Sequence, residues 1–271
     1  MQNNSESNKV VLLDVPFDEY SSHLKGPAKA PPIIREVMAS DASNTSTELG
    51  LELGGHSHIS SYQKLSWVNS IDAFEVIENA IDDIGKSGNK PLTFGGDHSI
   101  TYPIIKSLAK HIPEFTILHF DAHPDLYNIL DGNRLSHACP FARIMEDKLV
   151  KHLIQIGIRT LNQHQREQVE RFGVEVHEMK DWGQGRQIEI DGPVYISIDI
   201  DALDPAFAPG VSHHEPGGLS LRQILDVIHA IRVPIIGADI VEYNPRRDIN
   251  LMTAQVVNKL YKEICGKMLM Q

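Results

Sequence analysis

Residues 91–120 read PLTFGGDHSITYPIIKSLAKHIPEFTILHF, and this stretch decides the architecture of the chain. An apolar run from Pro91 to Phe94 is followed by helical spacing of apolar residues from Ser99 to His111, and then by a second apolar run from Phe115 to His119. Short apolar runs of this kind predict buried strands, and the segment between them predicts a helix. The order of strand, helix and strand favours a parallel sheet.

The same alternation extends along the rest of the chain. Four further runs predict strands: Val10 to Val15, Leu153 to Ile158, Pro193 to Asp199 and Val233 to Ala238. Six further segments predict helices: Pro31 to Met38, Ile71 to Lys86, Pro140 to Glu146, Gln163 to Phe172, Leu221 to Ile231 and Met252 to Met268. We therefore expect an α/β protein with one parallel sheet and helices on both faces. The irregular stretch from Ser40 to Ser66 is expected to be a lid, an oligomer contact or a surface excursion without a role.

Composition narrows the class of protein. With 271 residues, of which 41% are hydrophobic, the chain is long enough to bury a large core, and we expect one globular domain over residues 1–271. A net charge of −11 disfavours binding to nucleic acid and to anionic membrane surfaces. Its two cysteines, Cys139 and Cys265, are too few for a disulfide framework. Residues 1–8 are polar, resemble no signal peptide and are expected to be disordered, and no apolar run spans a bilayer, so we expect a cytoplasmic protein.

Three predicted strands are followed by side chains that bind metals. The segments are Gly95-Gly96-Asp97-His98-Ser99, Asp121-Ala122-His123-Pro124-Asp125 and Asp199-Ile200-Asp201. In an open α/β sheet, ligands bind beyond the carboxyl ends of the strands. Alternate residues of an extended segment point to one side, so each segment can direct its ligands together. A lone aspartate after a strand is more commonly a helix cap, and Asp97 or Ser99 could have that role alone.

Taken together, the segments offer four carboxylates and two imidazoles. These donors suffice for two divalent cations, which would neutralise the four negative charges. Oxygen-rich ligation with some imidazole favours Mn²⁺ over a structural zinc ion. The sequence therefore predicts a site for two Mn²⁺ ions formed by six residues: His98, Asp121, His123, Asp125, Asp199 and Asp201.

These segments, with Ser197 to Asp201 continuing to Asp204-Pro205, resemble the signature segments of the ureohydrolase family, the arginases and agmatinases. Further segments are most similar to plant-type arginases: Gly26-Pro27-Ala28, Ser136-His137-Ala138, Phe141 to Glu146 and Ala208 to His213. The resemblance implies a three-layer arginase-like fold with a central eight-stranded parallel sheet, and a homo-oligomer, commonly a trimer or hexamer. It also implies that Asp121 and Asp199 bridge the two Mn²⁺ ions, with His98 and Asp125 completing one site and His123 and Asp201 the other.

A guanidinium carbon is a poor electrophile, so its hydrolysis near neutral pH needs a strong nucleophile. Hydroxide held between two metal ions supplies one. The resemblance implies that Glu242 binds the guanidinium group, for which a carboxylate is the natural partner. By position it also implies that His137 delivers a proton to the leaving amine. Without the resemblance, Glu242 would be interpreted as a surface residue or a local ion pair.

The expected reaction is hydrolysis of L-arginine to L-ornithine and urea. The nearest alternative is an agmatinase, or another guanidino-acid ureohydrolase, because agmatine differs from arginine only in lacking the α-carboxylate. The loop from Val211 to Glu215 offers Ser212, His213 and His214 as donors to that carboxylate, whereas Tyr127 is agmatinase-like. A binuclear metallophosphatase would need an Asn-His segment that the sequence lacks. A metal-free regulatory homologue is disfavoured because all six ligands are present.

The remaining candidates are expected to be structural. Seven histidines have no ligand spacing and should be surface or hydrogen-bonded core residues: His56, His58, His111, His152, His164, His177 and His229. Cys139 lies beside His137 but has no base of its own, so we expect it to pack rather than to act as a nucleophile.

Overall fold

The computed structural model describes residues 8–183 and 187–271, so the expected disorder of residues 1–8 lies almost wholly outside the described part. Eight parallel strands form one sheet in the order β2-β1-β3-β8-β7-β4-β5-β6. They are β1 (Val10–Asp14), β2 (Ile59–Ser61), β3 (Lys90–Phe94), β4 (Thr116–Phe120), β5 (His152–Ile158), β6 (Glu175–Glu178), β7 (Val194–Asp199) and β8 (Ile235–Val241). The predicted parallel α/β class and eight-stranded sheet are confirmed.

Helices cover both faces of this sheet. Seven lie within the described residues: α1 (Ala30–Ala39), α2 (Ser70–Lys86), α3 (Thr101–Leu108), α4 (Pro140–Glu146), α5 (Gln163–Phe172), α6 (Leu221–Ala230) and α7 (Met252–Leu269). Val10 and Leu12 of β1 pack in one core with α1, α6 and α7. Val11 and Leu13 pack in a second core with α2 to α5. Successive residues of a strand point to opposite faces, so an unbroken apolar run marks a strand that is buried on both sides.

The strand order explains where a ligand can bind. Strands β3, β8, β7 and β4 are direct neighbours at the centre of the sheet. Because all four are parallel, the segments that follow them meet at one edge, beyond the carboxyl ends. Those segments contain His98, Glu242, Asp199 and Asp121. Four widely separated parts of the sequence are thereby brought together.

Two edge strands were not predicted from the apolar pattern, and the predicted end of β8 was wrong. Strands β2 and β6 are short and polar, so neither produces a buried run. Strand β8 continues to Val241, whereas the sequence predicted an end at Ala238. As a result, Asp239 lies inside the strand and Glu242 follows it directly.

The irregular stretch from 40 to 66 packs against α6 and α7. Its Glu48 forms ion pairs with Arg222 of α6 at 2.7 Å and with Lys259 of α7 at 3.0 Å. The backbone N–H of Glu48 donates to Glu263 Oε1 at 2.8 Å. This part of the loop is tied to the helical layer. Among the described residues, none of the helices has the length and apolar character needed to cross a bilayer.

Candidate active site

The segment after β3 lies very close to the backbone of the loop that follows β1. Gly96 lies against the backbone of Phe17, and a Cβ atom there would overlap the Phe17 carbonyl oxygen. The N–H of Asp97 donates to that same oxygen at 2.8 Å. Asp97 also accepts from the N–H of Tyr20 and, through its other oxygen, from the N–H of Ser99. Asp97 therefore caps the turn that begins at His98, as the cap interpretation expected, and also holds the loop after β1 beside the site.

Three carboxylate oxygens surround one nitrogen of His98. Nδ1 lies 3.2 Å from Asp121 Oδ2, 3.1 Å from Asp125 Oδ2 and 3.4 Å from Asp199 Oδ2. The imidazole is fully buried, and Nδ1 has no hydrogen-bond partner within residues 8–183 and 187–271. Adjacent ligand atoms around a small divalent cation lie about 3 Å apart, because each is about 2.1 Å from the metal. The donor set has the spacing of a metal site.

The other nitrogen of His98 determines which tautomer the ring adopts. Its Nε2 lies 3.0 Å from Ser197 Oγ, and the Ser197 hydroxyl donates to Asp239 Oδ1 at 2.6 Å. Because that hydroxyl proton is used, Ser197 accepts from His98, so Nε2 carries the ring proton. The lone pair of Nδ1 then points at the carboxylates, as a metal ligand requires.

A second cluster lies on the other side of Asp121. His123 Nδ1 is 3.4 Å from Asp121 Oδ1 and 3.1 Å from Asp201 Oδ2. Asp121 thus directs one oxygen to the His98 cluster and the other to the His123 cluster. Asp199 Oδ1, by contrast, accepts the N–H of Asp201 at 2.8 Å. All six residues predicted as ligands are brought together. Two groups of ligand atoms have the spacing to hold a metal ion each: His98 with His119 and Asp121, and Asp121 with His123 and Asp201.

Electrostatic repulsion favours cation binding here. Burial and the neighbouring Asp121 raise the pKa of Asp125 to about 6. Burial and the adjacent Asp201 and Asp121 hold the pKa of Asp199 well above its usual range. Both shifts mean that the ionised forms of Asp125 and Asp199 are disfavoured in this buried site unless positive charge is close by. Divalent cations supply that charge.

His137 and Glu242 form a pair beside the metal ligands. His137 Nδ1 lies 3.1 Å from Glu242 Oε1, and its Nε2 lies 2.9 Å from Ser22 Oγ. Burial lowers the pKa of His137, but the hydrogen bond and charge of Glu242, together with the charges of Asp125 and Asp97, outweigh it and raise the pKa to about 9. Glu242 has a left-handed backbone with a φ of 62° and accepts the N–H of His98 at 2.9 Å. Such strain is common where a side chain must be aimed at a site.

The three candidate carboxylate donors in the loop after β7 have different surroundings in the structure. His213 is half-buried, and its ring centroid lies 5.5 Å from that of His137 and 5.9 Å from that of His123. His214 is exposed and bonds Pro209 O at 2.8 Å. The hydroxyl of Ser212 donates to Leu24 O at 2.8 Å and accepts from Asn244. Of the three predicted donors, His213 faces the site, whereas Ser212 holds two loops together.

Tyr127, His23 and Cys139 lie in the loops around the site. Tyr127 stacks on His164 at 5.7 Å and accepts a hydrogen bond from Asn162, so it lies beside the start of α5. His23, which has no motif in the sequence, lies 5.3 Å from the ring of His213. Cys139 is buried, and burial raises the pKa of its thiol to about 12, which suits packing.

Sequence reasoning missed His119 and Gln155. Both are fully buried, on β4 and β5 respectively, and His119 Nε2 lies 2.8 Å from Asp121 Oδ2. His119 is enclosed in the apolar run of its strand, so its pattern is that of a core residue. Most of the other histidines are surface or hydrogen-bonded residues as expected. His111 bonds Asp82, and His229 bonds Glu263.

Comparison with known proteins agrees with this geometry. The model of the Arginase family matches residues 8–266. The chain belongs to the arginase family. This family member is 44% identical to "Arginase 1, mitochondrial" of Arabidopsis thaliana, over 94% of this chain and 80% of the relative. It is also 31% identical to "Agmatinase" of Bacillus anthracis, over 96% of this chain and 91% of the relative.

A solved structure shares the fold. "Arginase from Medicago truncatula" matches this arginase-family chain with a TM-score of 0.92 and 41% identity, over 97% of this chain and 88% of the other. The predicted resemblance and the arginase-like fold are confirmed. The chain is a hydrolase of the arginase family, and its clustered imidazoles and carboxylates support a binuclear metal site.

Proposed function

We propose that this protein hydrolyses L-arginine to L-ornithine and urea with two Mn²⁺ ions per subunit. The observation that carries the proposal is the position of Asp121, whose two oxygens each face a separate cluster of ligand atoms. One ion would be held by His98, Asp121, Asp125 and Asp199. The other would be held by Asp121, Asp199, His123 and Asp201. Carboxylate and imidazole donors in this ratio favour Mn²⁺ over zinc.

Two dications held by these residues would lower the pKa of bound water and so supply a nucleophile near neutral pH. The protein's own residues bind and orient the substrate. Glu242 Oε1 accepts from His98 N–H and lies beside His137, which leaves Oε2 to receive the guanidinium group. The carboxylate of Glu242 favours the imidazolium form of His137, so Nε2 or Nδ1 can deliver a proton to the leaving amine.

The choice of arginine over agmatine depends on the α-carboxylate. His213 is half-buried beside His137 and His123, and we propose that its imidazole donates a hydrogen bond to the α-carboxylate. His23 lies next to it as a second donor. Similarity to plant arginases at 44% identity supports arginine more strongly than the 31% identity to an agmatinase supports agmatine. Ser212 would act indirectly by holding the loop, and Tyr127 would border the site.

Urea release from a panel of guanidino compounds tests the proposal. Protein loaded with Mn²⁺ is given L-arginine, agmatine, 4-guanidinobutyrate or guanidine at matched concentration. We expect urea from L-arginine with an equal amount of ornithine. Urea from agmatine at an equal or higher kcat/KM would make the protein an agmatinase with the same metal chemistry. Absence of urea from every compound would refute the hydrolase proposal.

Three other expectations are proposals of the same kind. We propose that residues 1–271 form one ureohydrolase domain, that the chain assembles as a homo-oligomer, trimeric or hexameric, and that it acts in the cytoplasm. Its partner is a small guanidino compound rather than nucleic acid or a membrane, since a net charge of −11 disfavours both of those.

A further inference from the structure

His119 contacts the central metal ligand, Asp121, and one of its ring nitrogens lies close enough to His98 and Asp121 to be a candidate ligand itself. Its Nε2 lies 2.8 Å from Asp121 Oδ2, and its Nδ1 lies 3.0 Å from the Nε2 amide nitrogen of Gln155. The same amide nitrogen lies 2.7 Å from the carbonyl oxygen of Pro124. All three side chains are buried within the sheet. Together they form a chain of contacts from Pro124 to Asp121.

The carbonyl of Pro124 fixes the direction of every hydrogen bond in this chain. A carbonyl oxygen can only accept, so the atom of Gln155 that faces it must be the amide nitrogen. The second N–H of that amide then donates to His119 Nδ1. A neutral imidazole carries one proton, which must therefore reside on Nε2, and His119 donates it to Asp121 Oδ2. With its Nε2 lone pair absent, His119 cannot bind a metal ion through that atom.

Gln155 occupies this position with one polar atom unpaired. Its Oε1 is buried and has no hydrogen-bond partner among the described residues. Leaving a buried acceptor unpaired is unfavourable, and an apolar side chain would fill the same space without that cost. The two hydrogen bonds that Gln155 donates, to Pro124 O and to His119 Nδ1, offset this cost and give the polar side chain a role.

Each of the two carboxylate oxygens of Asp121 accepts one hydrogen bond. Oδ2 receives the His119 N–H, while Oδ1 receives the backbone N–H of His123 at 2.6 Å. A carboxylate oxygen has two lone pairs, so each oxygen keeps one for a cation. Rotation of the carboxylate would break both hydrogen bonds. Asp121 is thereby locked in the one orientation that presents an oxygen to each cluster.

We propose that Gln155 and His119 are positioning residues that hold Asp121 as a bridge between two metal ions. This inference rests on the proposed binuclear site. Neither residue contacts substrate. Their contribution is to the affinity and pairing of the metal ions, because hydrogen-bonding partners of metal ligands fix the orientation of those ligands.

Metal binding by a His119→Phe variant tests this proposal. Phenylalanine keeps the ring that packs on Phe141, with centroids 4.0 Å apart, but removes the N–H. We expect the variant to need about 10- to 100-fold more Mn²⁺ than the wild type to fill both sites in equilibrium dialysis. We also expect electron paramagnetic resonance at sub-saturating Mn²⁺ to change from the signal of coupled pairs to that of isolated ions.

Two further variants supply a control and a substitute for His119→Phe. Thr116→Val removes a buried hydroxyl from the other end of β4, where it donates to Asp191 O, and should bind Mn²⁺ as the wild type does. Gln155→Leu removes the donor that sets the His119 tautomer, and it replaces His119→Phe if that variant does not fold. It should weaken Mn²⁺ pairing in the same direction.

The outcomes separate this inference from the proposed function. Wild-type affinity and pairing in the folded His119→Phe or Gln155→Leu protein would overturn the inference alone. An equal loss of Mn²⁺ in Thr116→Val would also overturn it, because the effect would then be one of general stability. A wild-type protein that binds no pair of Mn²⁺ ions would instead refute the proposed function.

Discussion

His137 Nδ1 lies 3.1 Å from Glu242 Oε1, so the proposed proton donor is held by the residue proposed to bind the guanidinium group. Glu242 lies at the end of β8 and His137 in the loop before α4, 105 positions apart in the sequence. The carboxylate stabilises the imidazolium form of His137. Substrate orientation and proton delivery are therefore linked through one carboxylate.

Replacing the proposed proton donor should slow the reaction without emptying the metal site. We expect His137→Asn to retain two Mn²⁺ ions by elemental analysis and to lose about 10²- to 10⁴-fold in kcat, the usual contribution of a general acid. His152→Asn, on the exposed start of β5, is the control. An unchanged kcat in His137→Asn would mean that another group donates the proton.

The pKa of His137 should depend on Glu242. The raised pKa of about 9 means that the imidazolium predominates at neutral pH and is lost as the pH rises through 9. Glu242→Gln removes the largest contributions that raise the pKa, while burial and the charges of Asp125 and Asp97 remain, so the pKa should fall well below 9. Histidine-selective NMR titration of the metal-free protein measures this, with His137→Asn identifying the resonance. A resonance that still titrates near 9 in Glu242→Gln would contradict the pairing.

Two adjacent histidines allow a matched test of substrate choice. His213→Ala should lower kcat/KM for L-arginine by at least about 10-fold, because the carboxylate loses a donor, while kcat/KM for agmatine stays within about 2-fold. His214→Ala should change neither, since His214 is exposed and bonds Pro209. Equal losses for both substrates in His213→Ala would assign His213 to another role.

Much of this site can be predicted from the sequence, because strands and ligand segments are local patterns. The six ligands lie at or after the ends of strands whose apolar runs are evident in the sequence. The carboxyl ends of parallel strands lie at the same edge of the sheet. The contacts that join distant segments have no local signal. His119 lies in an apolar strand, and its link to Gln155 arises only because β4 and β5 pair in register, with His119 opposite Gln155. The different orientations of His213 and His214 likewise depend on tertiary packing.

The loop from 40 to 66 should contribute to stability in a pH-dependent way. Hydrogen bonds from Arg222 and Lys259 hold the pKa of Glu48 at about 2, below its ordinary 4.5. The carboxylate therefore stabilises the folded state above pH 4.5, and this contribution is lost as the pH falls toward 2. Because Glu48 is about one-third exposed, we expect Glu48→Gln to lower stability by only about 1 kcal/mol at pH 7.

Thermal unfolding of the metal-free protein at pH 7 and pH 3 checks this effect. The difference in Tm between the wild type and Glu48→Gln should shrink at pH 3. Glu170→Gln, an exposed substitution on α5, should differ little from the wild type at either pH. A Tm difference that is the same at both pH values would show that Glu48 does not act through its charge.

The most direct test of the binuclear centre is anomalous X-ray diffraction at the manganese edge from crystals grown with Mn²⁺. We predict two anomalous peaks on either side of the Asp121 carboxylate, one beside His98 Nδ1 and one beside His123 Nδ1. Asp121→Ala crystals grown in the same way should lose both peaks. A single peak in the wild type, peaks remote from Asp121, or two peaks that persist in Asp121→Ala would contradict the account.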